Sequence, residues 1–303
     1  MISTELLIVG AGAAGLSCAI GAAREGISEI VIADALTCPG GILPQCLHRG
    51  FGLSMYGREM TGPEFLAELL KDMPSHIDLR METMVNGISR DRTAVLYSQN
   101  GPEKISFRYL IIAAGCRERS IYSIPVAGTR PAGVLSAGLA QQLVNLKNAD
   151  IGEHIVILGS GDIGLVMAGR FAELGKTPVA VIEQKEKMGG LARNQHRYIE
   201  ANHIPVITKA TVDEVHGYPH LTGVTVKHLD DGRREFIPCD TLITALGLIP
   251  EKTSAAGLYE NGCAPDWLAY SGNSDFVHEI VDGVVRDGLK AGKEAAEYLR
   301  KDV

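Results

Sequence analysis

Two glycine-rich runs carry the clearest chemistry in this chain: Gly10-Ala11-Gly12-Ala13-Ala14-Gly15 and Gly159-Ser160-Gly161-Asp162-Ile163-Gly164. In such a run the first glycine allows a tight turn, the second lets a pyrophosphate approach the backbone, and the third lets the following helix pack close to its strand. The start of that helix then offers free amides to the phosphates. Asp34 lies 24 positions after Gly10, and Glu183 lies 24 positions after Gly159. A carboxylate at that distance can accept the hydroxyls of a ribose. A glycine pair follows each acid six and seven positions on, Gly40-Gly41 in one case and Gly189-Gly190 in the other. One glycine run alone is a common packing device, but the repeated register points to a duplicated dinucleotide fold.

The elements that must hold these residues repeat as well. Leu6 to Val9 reads as a buried strand, followed by an Ala-rich helix to about Glu25 and a second strand from Glu29 to Ala33. Ile155 to Leu158, a helix to about Leu174 and a strand ending at Glu183 restate the pattern. Each unit closes with an apolar strand that runs into small residues, Leu110 to Gly115 with Ala113-Ala114-Gly115 at its end, and Leu242 to Gly247 with Ala245-Leu246-Gly247. Val224 to Leu229 and Arg234 to Pro238 flank Asp230-Asp231-Gly232, a hairpin signal. One such layer per unit would cap the parallel sheets. Thr61-Gly62-Pro63-Glu64 starts a helix whose residues Phe65, Leu66, Leu69 and Leu70 share an apolar face, and a last helix covers about Gly283 to Lys301.

Composition narrows the partners. A chain of 303 residues suits two domains, and 46% hydrophobic with 21% charged residues is the balance of a soluble globular protein. A net charge of -7 without a basic stripe argues against nucleic acid and anionic membranes, and 5% aromatics argues against base-stacking platforms. The apolar opening from Met1 to Ala23 lacks a basic lead and carries glycines, so it reads as core and neither as a leader nor as a membrane span. The six cysteines, Cys18, Cys38, Cys46, Cys116, Cys239 and Cys263, show no metal-binding or CxxC spacing. No metal site is expected, and scattered reduced thiols suggest a cytoplasmic setting.

Taken together, the two glycine turns with their acids, Ala113-Ala114-Gly115-Cys116-Arg117-Glu118-Arg119, Ala245-Leu246-Gly247 and Ser271-Gly272-Asn273 resemble the FAD/NAD(P)-dependent pyridine nucleotide-disulfide oxidoreductases, with the architecture of thioredoxin reductase. The resemblance covers essentially the whole chain. It implies an α/β fold of two nested Rossmann-like dinucleotide-binding domains: an FAD domain of residues 1–122 and 250–303, with an NAD(P) domain of residues 123–249 inserted. It implies FAD contacts from Gly10, Gly12, Ala13, Ala14, Gly15, Asp34, Ala35, Gly40, Gly41, Gln45, Ala113, Ala114, Gly115, Gly272 and Asn273. NAD contacts would come from Gly159, Ser160, Gly161, Asp162, Ile163, Gly164, Glu183, Ala245, Leu246 and Gly247. The stretch Gly40 to Leu53, together with Thr129-Arg130-Pro131-Ala132-Gly133-Val134, is similar to bacterial flavoprotein subunits associated with glycerol-3-phosphate dehydrogenases and, more distantly, to flavin subunits of opine oxidases and amino acid dehydrogenases. That likeness implies a protein partner.

Two departures matter. The family's redox cysteine pair is absent, which makes a dithiol relay improbable, and its usual Gly-Asp near the C-terminus is here Gly272-Asn273. Cys46 and His48 are the candidates for direct chemistry, with a buried packing thiol and a structural histidine as the plainer alternatives. Arg49 and His278 could line a substrate or partner surface, and Arg117 and Arg119 could fix interdomain geometry. Glu183 should disfavour a 2′-phosphate and so select NAD over NADP, unless Arg193 or Arg197 bends back toward it. The expected reaction is hydride transfer between nicotinamide and flavin, which needs no side-chain acid or base. Three readings follow: a self-contained NADH-dependent reductase, an electron-transfer subunit of a larger dehydrogenase, and a non-catalytic nucleotide-binding redox sensor. The two chain crossings would allow domain rotation, and the oligomeric state stays open, a homodimer being one option.

Overall fold

The computed structural model describes residues 2–301 and divides into two compact units, Met1–Arg117 with Ile249–Val303, and Glu118–Leu248. The first unit opens with β1 (Ile2–Val9), α1 (Ala13–Arg24) and β2 (Ile30–Ala33), followed by the short helix α2 (Leu53–Tyr56) and α3 (Gly62–Lys71). β3 (Asp78–Arg80), β4 (Met84–Ser89), β5 (Thr93–Ser98) and β6 (Gly101–Ile112) complete its N-terminal part. The chain leaves through β7 (Cys116–Glu118).

The second unit holds β8 (Ala127–Gly128), β9 (Val134–Ser136), α4 (Ala137–Lys147), β10 (His154–Leu158), α5 (Asp162–Glu173) and β11 (Thr177–Ile182). It continues with α6 (Ala192–Asn194), a π-helical stretch Gln195–Glu200, β12 (Val206–Ile207), β13 (Ala210–His216), β14 (Gly223–His228), β15 (Arg234–Pro238) and β16 (Thr241–Thr244). β17 (Leu248–Pro250) returns the chain beside β7, and β18 (Leu268–Tyr270) and α7 (Val281–Lys301) end the first unit. The first crossing therefore falls at 117/118 rather than 122/123. Glu118 binds into the second unit, where its carboxylate accepts the Gly138 amide (2.8 Å) and the Ser136 hydroxyl at the start of α4.

Each unit is built on five parallel strands, four of them in the same order and the fifth supplied from the end of the chain in the first unit but from before the glycine-turn strand in the second, so the expected pair of Rossmann-like folds is present. In the first, β3-β2-β1-β6 is joined at β6 by β18. In the second the order is β12-β11-β10-β16-β9. Leu6, Leu7 and Ile8, like Ile155, Val156 and Ile157, are fully buried, as strands covered on both faces must be. The antiparallel layers are β4-β5-β6 in the first unit and β13-β14-β15 in the second, where β14 pairs with β15 across the anticipated Asp-Asp-Gly turn.

Packing around α1 depends on small residues. α7 lies so close that a Cβ at Gly288 would strike the Ala14 carbonyl and one at Gly292 the Cys18 carbonyl. The Gly288-x-x-x-Gly292 spacing on α7 gives this close approach, as small residues one turn apart stack on one helix face. α3 starts with a complete capping box between Thr61 and Glu64 and buries Phe65 and Leu69.

Candidate functional site

The two glycine turns are built alike down to single atoms. Gly10 and Gly159 have φ values of +107° and +105°. A side chain there would be strained, and its Cβ would strike the carbonyl of Ala113 or Ala245 respectively. A Cβ at Gly15 or Gly164 would strike the carbonyl of the turn's own first glycine. Those four glycines are thus required by the protein itself. The middle glycines are not. Gly12 (φ -75°) and Gly161 (φ -64°) have ordinary backbone angles. A Cβ at Gly161 would meet nothing within 4 Å, and one at Gly12 only the Gly41 Cα at 4.0 Å. The space over each middle glycine is therefore open, directly before a helix whose first amides have no side-chain cap.

Behind each turn sits the acid expected from the spacing. Asp34 accepts the Ala11 amide (2.7 Å) and the Leu36 amide (2.8 Å). Glu183, 8% exposed, accepts the Ser160 amide (3.1 Å), the Ser160 hydroxyl and the Lys185 amide (2.8 Å). Both acids thus brace the turn, a positioning task added to any ribose contact. The glycine pairs return to the same place. The Gly40 amide donates to the Ala11 carbonyl (2.8 Å), and the Gly190 amide to the Ser160 carbonyl (2.8 Å). In the second unit the Gly189 amide also donates to the Ser160 hydroxyl (2.9 Å). Asp162, at the start of α5, is committed to this loop: it accepts the Leu191 amide (2.8 Å) and the Asn194 side-chain amide (2.7 Å). Ile163 lies beside it, half-buried.

The rest of the first unit's candidate set divides by exposure. Ala14 is buried and Ala13 half-buried at the start of α1, Ala35 is exposed after β2, and Gln45 is buried on a 3-10 turn. Ala113 is buried, Ala114 exposed, and Gly115 half-buried with open space over its Cα and its amide donating to the Ser274 hydroxyl (2.7 Å). In the second unit Ala245 and Leu246 are half-buried and Gly247 exposed. Gly272 presses on Ala14 and donates its amide to Asp287 on α7 (2.6 Å). Asn273 accepts the His278 backbone amide (2.9 Å), so its carbonyl oxygen holds the segment before α7. The His278 ring rests on Phe276 (4.1 Å), and its Nε2 is buried with no hydrogen-bond partner among the described residues.

Cys46 is 4% exposed, its thiol donates to the Ile42 carbonyl (3.3 Å), and burial pushes it up to about 12. A reactive thiol needs an exposed, electropositive setting instead. The His48 ring packs at a tilt against Phe51 (5.1 Å between ring centres), Arg49 reaches the Glu59 carbonyl (3.4 Å), and Arg117 approaches Glu251 (3.7 Å). Arg193 and Arg197 are exposed on the helical stretch after Leu191.

Two positions were invisible as site residues from sequence. Asp287 holds Gly272 and Ser271, and Asp282, 3% exposed, ties α2 to α7 by accepting the Gly52 amide (3.3 Å), the Ser54 amide (3.0 Å) and the Ser54 hydroxyl. Acids on a final amphipathic helix look like its solvated face. The only available signal was their place beside Gly283 and Gly288, where the helix must be approached closely.

Comparison with known proteins decides the family. The model of the pyridine nucleotide-disulphide oxidoreductases matches residues 4–268. The chain belongs to that family. Among its relatives, hydrogen cyanide synthase subunit HcnB of Pseudomonas aeruginosa is 28% identical over 289 residues, 86% of this chain and 60% of that one. A ferredoxin–NADP reductase of Salinispora tropica is 26% identical, over 82% of this chain and 74% of that one. The chain thus spans about 60% of the length of HcnB. The crystal structure of T. acidophilum thioredoxin reductase superposes with a TM-score of 0.79 at 22% identity, covering 98% and 99% of the two chains. This chain is accordingly an oxidoreductase-family flavoprotein, and its family binds FAD and a pyridine nucleotide. The open space over Gly12 and Gly161 fits such groups. Among the described residues no helix is long and apolar enough to cross a membrane, and no His, Cys, Asp and Glu cluster could hold a metal.

Proposed function

We propose that the first unit binds FAD, that the second binds NAD(H), and that the protein moves a hydride between them and exchanges the electrons with a second substrate or a partner protein. The observation that carries this reading is the pair of middle glycines, which nothing in the protein requires and a pyrophosphate would. When bound, the two cofactors supply the hydride donor and acceptor themselves.

The chain's residues bind and align. Gly12 and Gly161 leave room for the phosphates at the uncapped helix starts, where the amides and the helix dipole favour negative charge. Asp34 and Glu183 brace those amides and offer their remaining lone pairs to ribose hydroxyls. Assignment of FAD to the first unit rests on the resemblance, supported by the return of Gly272, Asn273 and α7 onto α1 in that unit alone. With the coenzyme ribose held beside Glu183, a 2′-phosphate would add a second negative charge next to that carboxylate, which supports the reading of NAD over NADP.

A dithiol relay has no place in this reading. No disulfide joins any of the six cysteines, no two of them form a CxxC pair, and burial pushes the thiols of Cys18, Cys46 and Cys239 up to about 12, so they stay protonated at neutral pH. The acceptor is then a small molecule or a protein. The subunit status of HcnB favours a protein, and a dehydrogenase of the glycerol-3-phosphate, opine or amino acid type is the partner class we propose. Anaerobic stopped-flow mixing of the flavin-loaded protein with NADH and NADPH tests the proposal. NADH should bleach the flavin rapidly and with higher efficiency than NADPH, and turnover should stay slow until the partner is added. Bleaching by neither coenzyme would sink it.

A further inference from the structure

The turn that carries Gly272 and Asn273 comes late in the chain yet lies against the first glycine turn. The Ser271 amide ties it to the Ile112 carbonyl at the end of β6 (3.0 Å), and the Ser274 hydroxyl accepts the amide of Gly115 in the closing turn (2.7 Å). Between these two holds Gly272 takes a left-handed φ of +61°. It lies so close to α1 that a Cβ on it would fall 2.6 Å from the Cβ of Ala14. The Gly272 backbone therefore packs directly on the helix start proposed to meet the phosphates.

Asp287 on α7 supplies the third hold. Its Oδ2 accepts both the Gly272 amide (2.6 Å) and the Ser271 hydroxyl (3.0 Å). Ser271 and Gly272 are buried, and a buried donor that loses its partner is costly. Asn273 is held from its other side, where its Oδ1 accepts the His278 amide (2.9 Å). The turn is thus set before a cofactor arrives, which lowers the ordering cost of binding.

We propose that Asp287 is a positioning residue of the flavin site, which acts by fixing the Gly272-Asn273 turn against the start of α1 in the shape that FAD binding requires. The inference rests on the reading that the first unit binds FAD. Both donors converge on one oxygen, so the turn needs an acceptor at that point and not a charge. An asparagine can put its amide oxygen there. An alanine has no acceptor, and a glutamate carries its oxygens one methylene too far.

The test uses the flavin-loaded protein and follows release of FAD after dilution by the return of flavin fluorescence. Asp287→Ala and Asp287→Glu should release FAD roughly tenfold faster than the wild type or more, and Asp287→Asn within about threefold of it. Leu299→Ala controls for stability alone. It empties a core position on the same helix, 1% exposed and about 18 Å farther along, and should lower the unfolding temperature while FAD release stays at the wild-type rate. Wild-type release from Asp287→Ala, or from Asp287→Glu where the alanine variant does not fold, would overturn the inference. So would an asparagine variant that releases FAD as fast as the alanine one, or a Leu299→Ala protein that does the same. A wild type that retains no flavin would overturn the reading of the first unit and this inference with it, whereas the other outcomes leave that reading standing.

Discussion

In the first unit the carboxylate behind the glycine turn is Asp34, braced against the bare amide of Ala11. In the second it is Glu183, which reaches farther and takes both the amide and the hydroxyl of Ser160. The glycine pair follows the same division. Gly40 is held by one bond to the Ala11 carbonyl, whereas Gly189 and Gly190 are held by the hydroxyl and the carbonyl of Ser160. Around the first turn the protein adds a second helix, α7, pressed on α1 through Gly288 and Gly292. Around the second, α5 meets the π-helical stretch through Gly169 and the ring of Tyr198. The glycine turn with its acid and its returning glycine pair is duplicated in outline, while the residues that brace it and the helices packed around it differ between the units.

The largest expected contrast comes from the helix contacts. Gly292→Val sets a side chain against the Cys18 carbonyl, a backbone atom that cannot step aside, and should cost about 3 kcal/mol. Gly169→Ala meets the Tyr198 side chain instead, its Cβ as well as its ring, which can yield farther than a backbone carbonyl, and should cost about 1–2 kcal/mol. Denaturant unfolding of the two variants separates backbone from side-chain crowding, and equal losses would break the comparison.

The turn glycines should divide by role. Gly10→Ala and Gly159→Ala should each lose about 2 kcal/mol of stability, because a strained φ and a carbonyl collision coincide. Gly12→Ala and Gly161→Ala should unfold like the wild type or up to about 0.5 kcal/mol more stably. Their defect should be in dinucleotide binding, by roughly tenfold or more, as read by calorimetry.

The buried thiols give a pH signature. Cys18, Cys46 and Cys239 are raised in the folded state to about 12 from 9.0. Their contribution is intact below pH 9 and is lost between about pH 9 and pH 12, because there the unfolded chain releases protons that the folded chain retains. Stability should fall over that window by roughly 1.4 kcal/mol per pH unit for each thiol. Cys46→Ser should flatten the slope by one thiol's share, and at pH 8 an alkylating reagent should reach exposed Cys38 and Cys263 while sparing these three. A narrower effect is local to the second turn: Ser160→Ala removes a bond to Glu183 and an acceptor for Gly189, about 1 kcal/mol of stability. It should weaken NADH binding while leaving FAD retention untouched.

Much of this contrast could be read before the fold was known. The glycine turns, the acids at 24 positions and the hairpin of the second unit were legible because each is a short-range pattern. A turn must have its glycines, and a hairpin its Asp-Asp-Gly. The first crossing was placed late because Glu118 is bound to its unit by bonds to Ser136 and Gly138, some twenty residues away in sequence. The roles of Asp282 and Asp287 were hidden for the same reason, since their partners at 52–54 and 271–272 are set by tertiary packing. Cys46 drew attention by its place after a glycine pair, and only its burial separates a packing thiol from a reactive one.

The division of labour between the units is tested most directly by Gly161→Val in the flavin-loaded protein, followed by anaerobic stopped-flow bleaching with sub-saturating NADH. The account predicts a protein that folds and keeps its flavin but is reduced roughly tenfold or more slowly than the wild type, with Gly12→Val showing the reverse pattern, loss of flavin with NADH binding kept. Loss of flavin from Gly161→Val, or wild-type bleaching in it, would contradict the assignment of the coenzyme to the second turn.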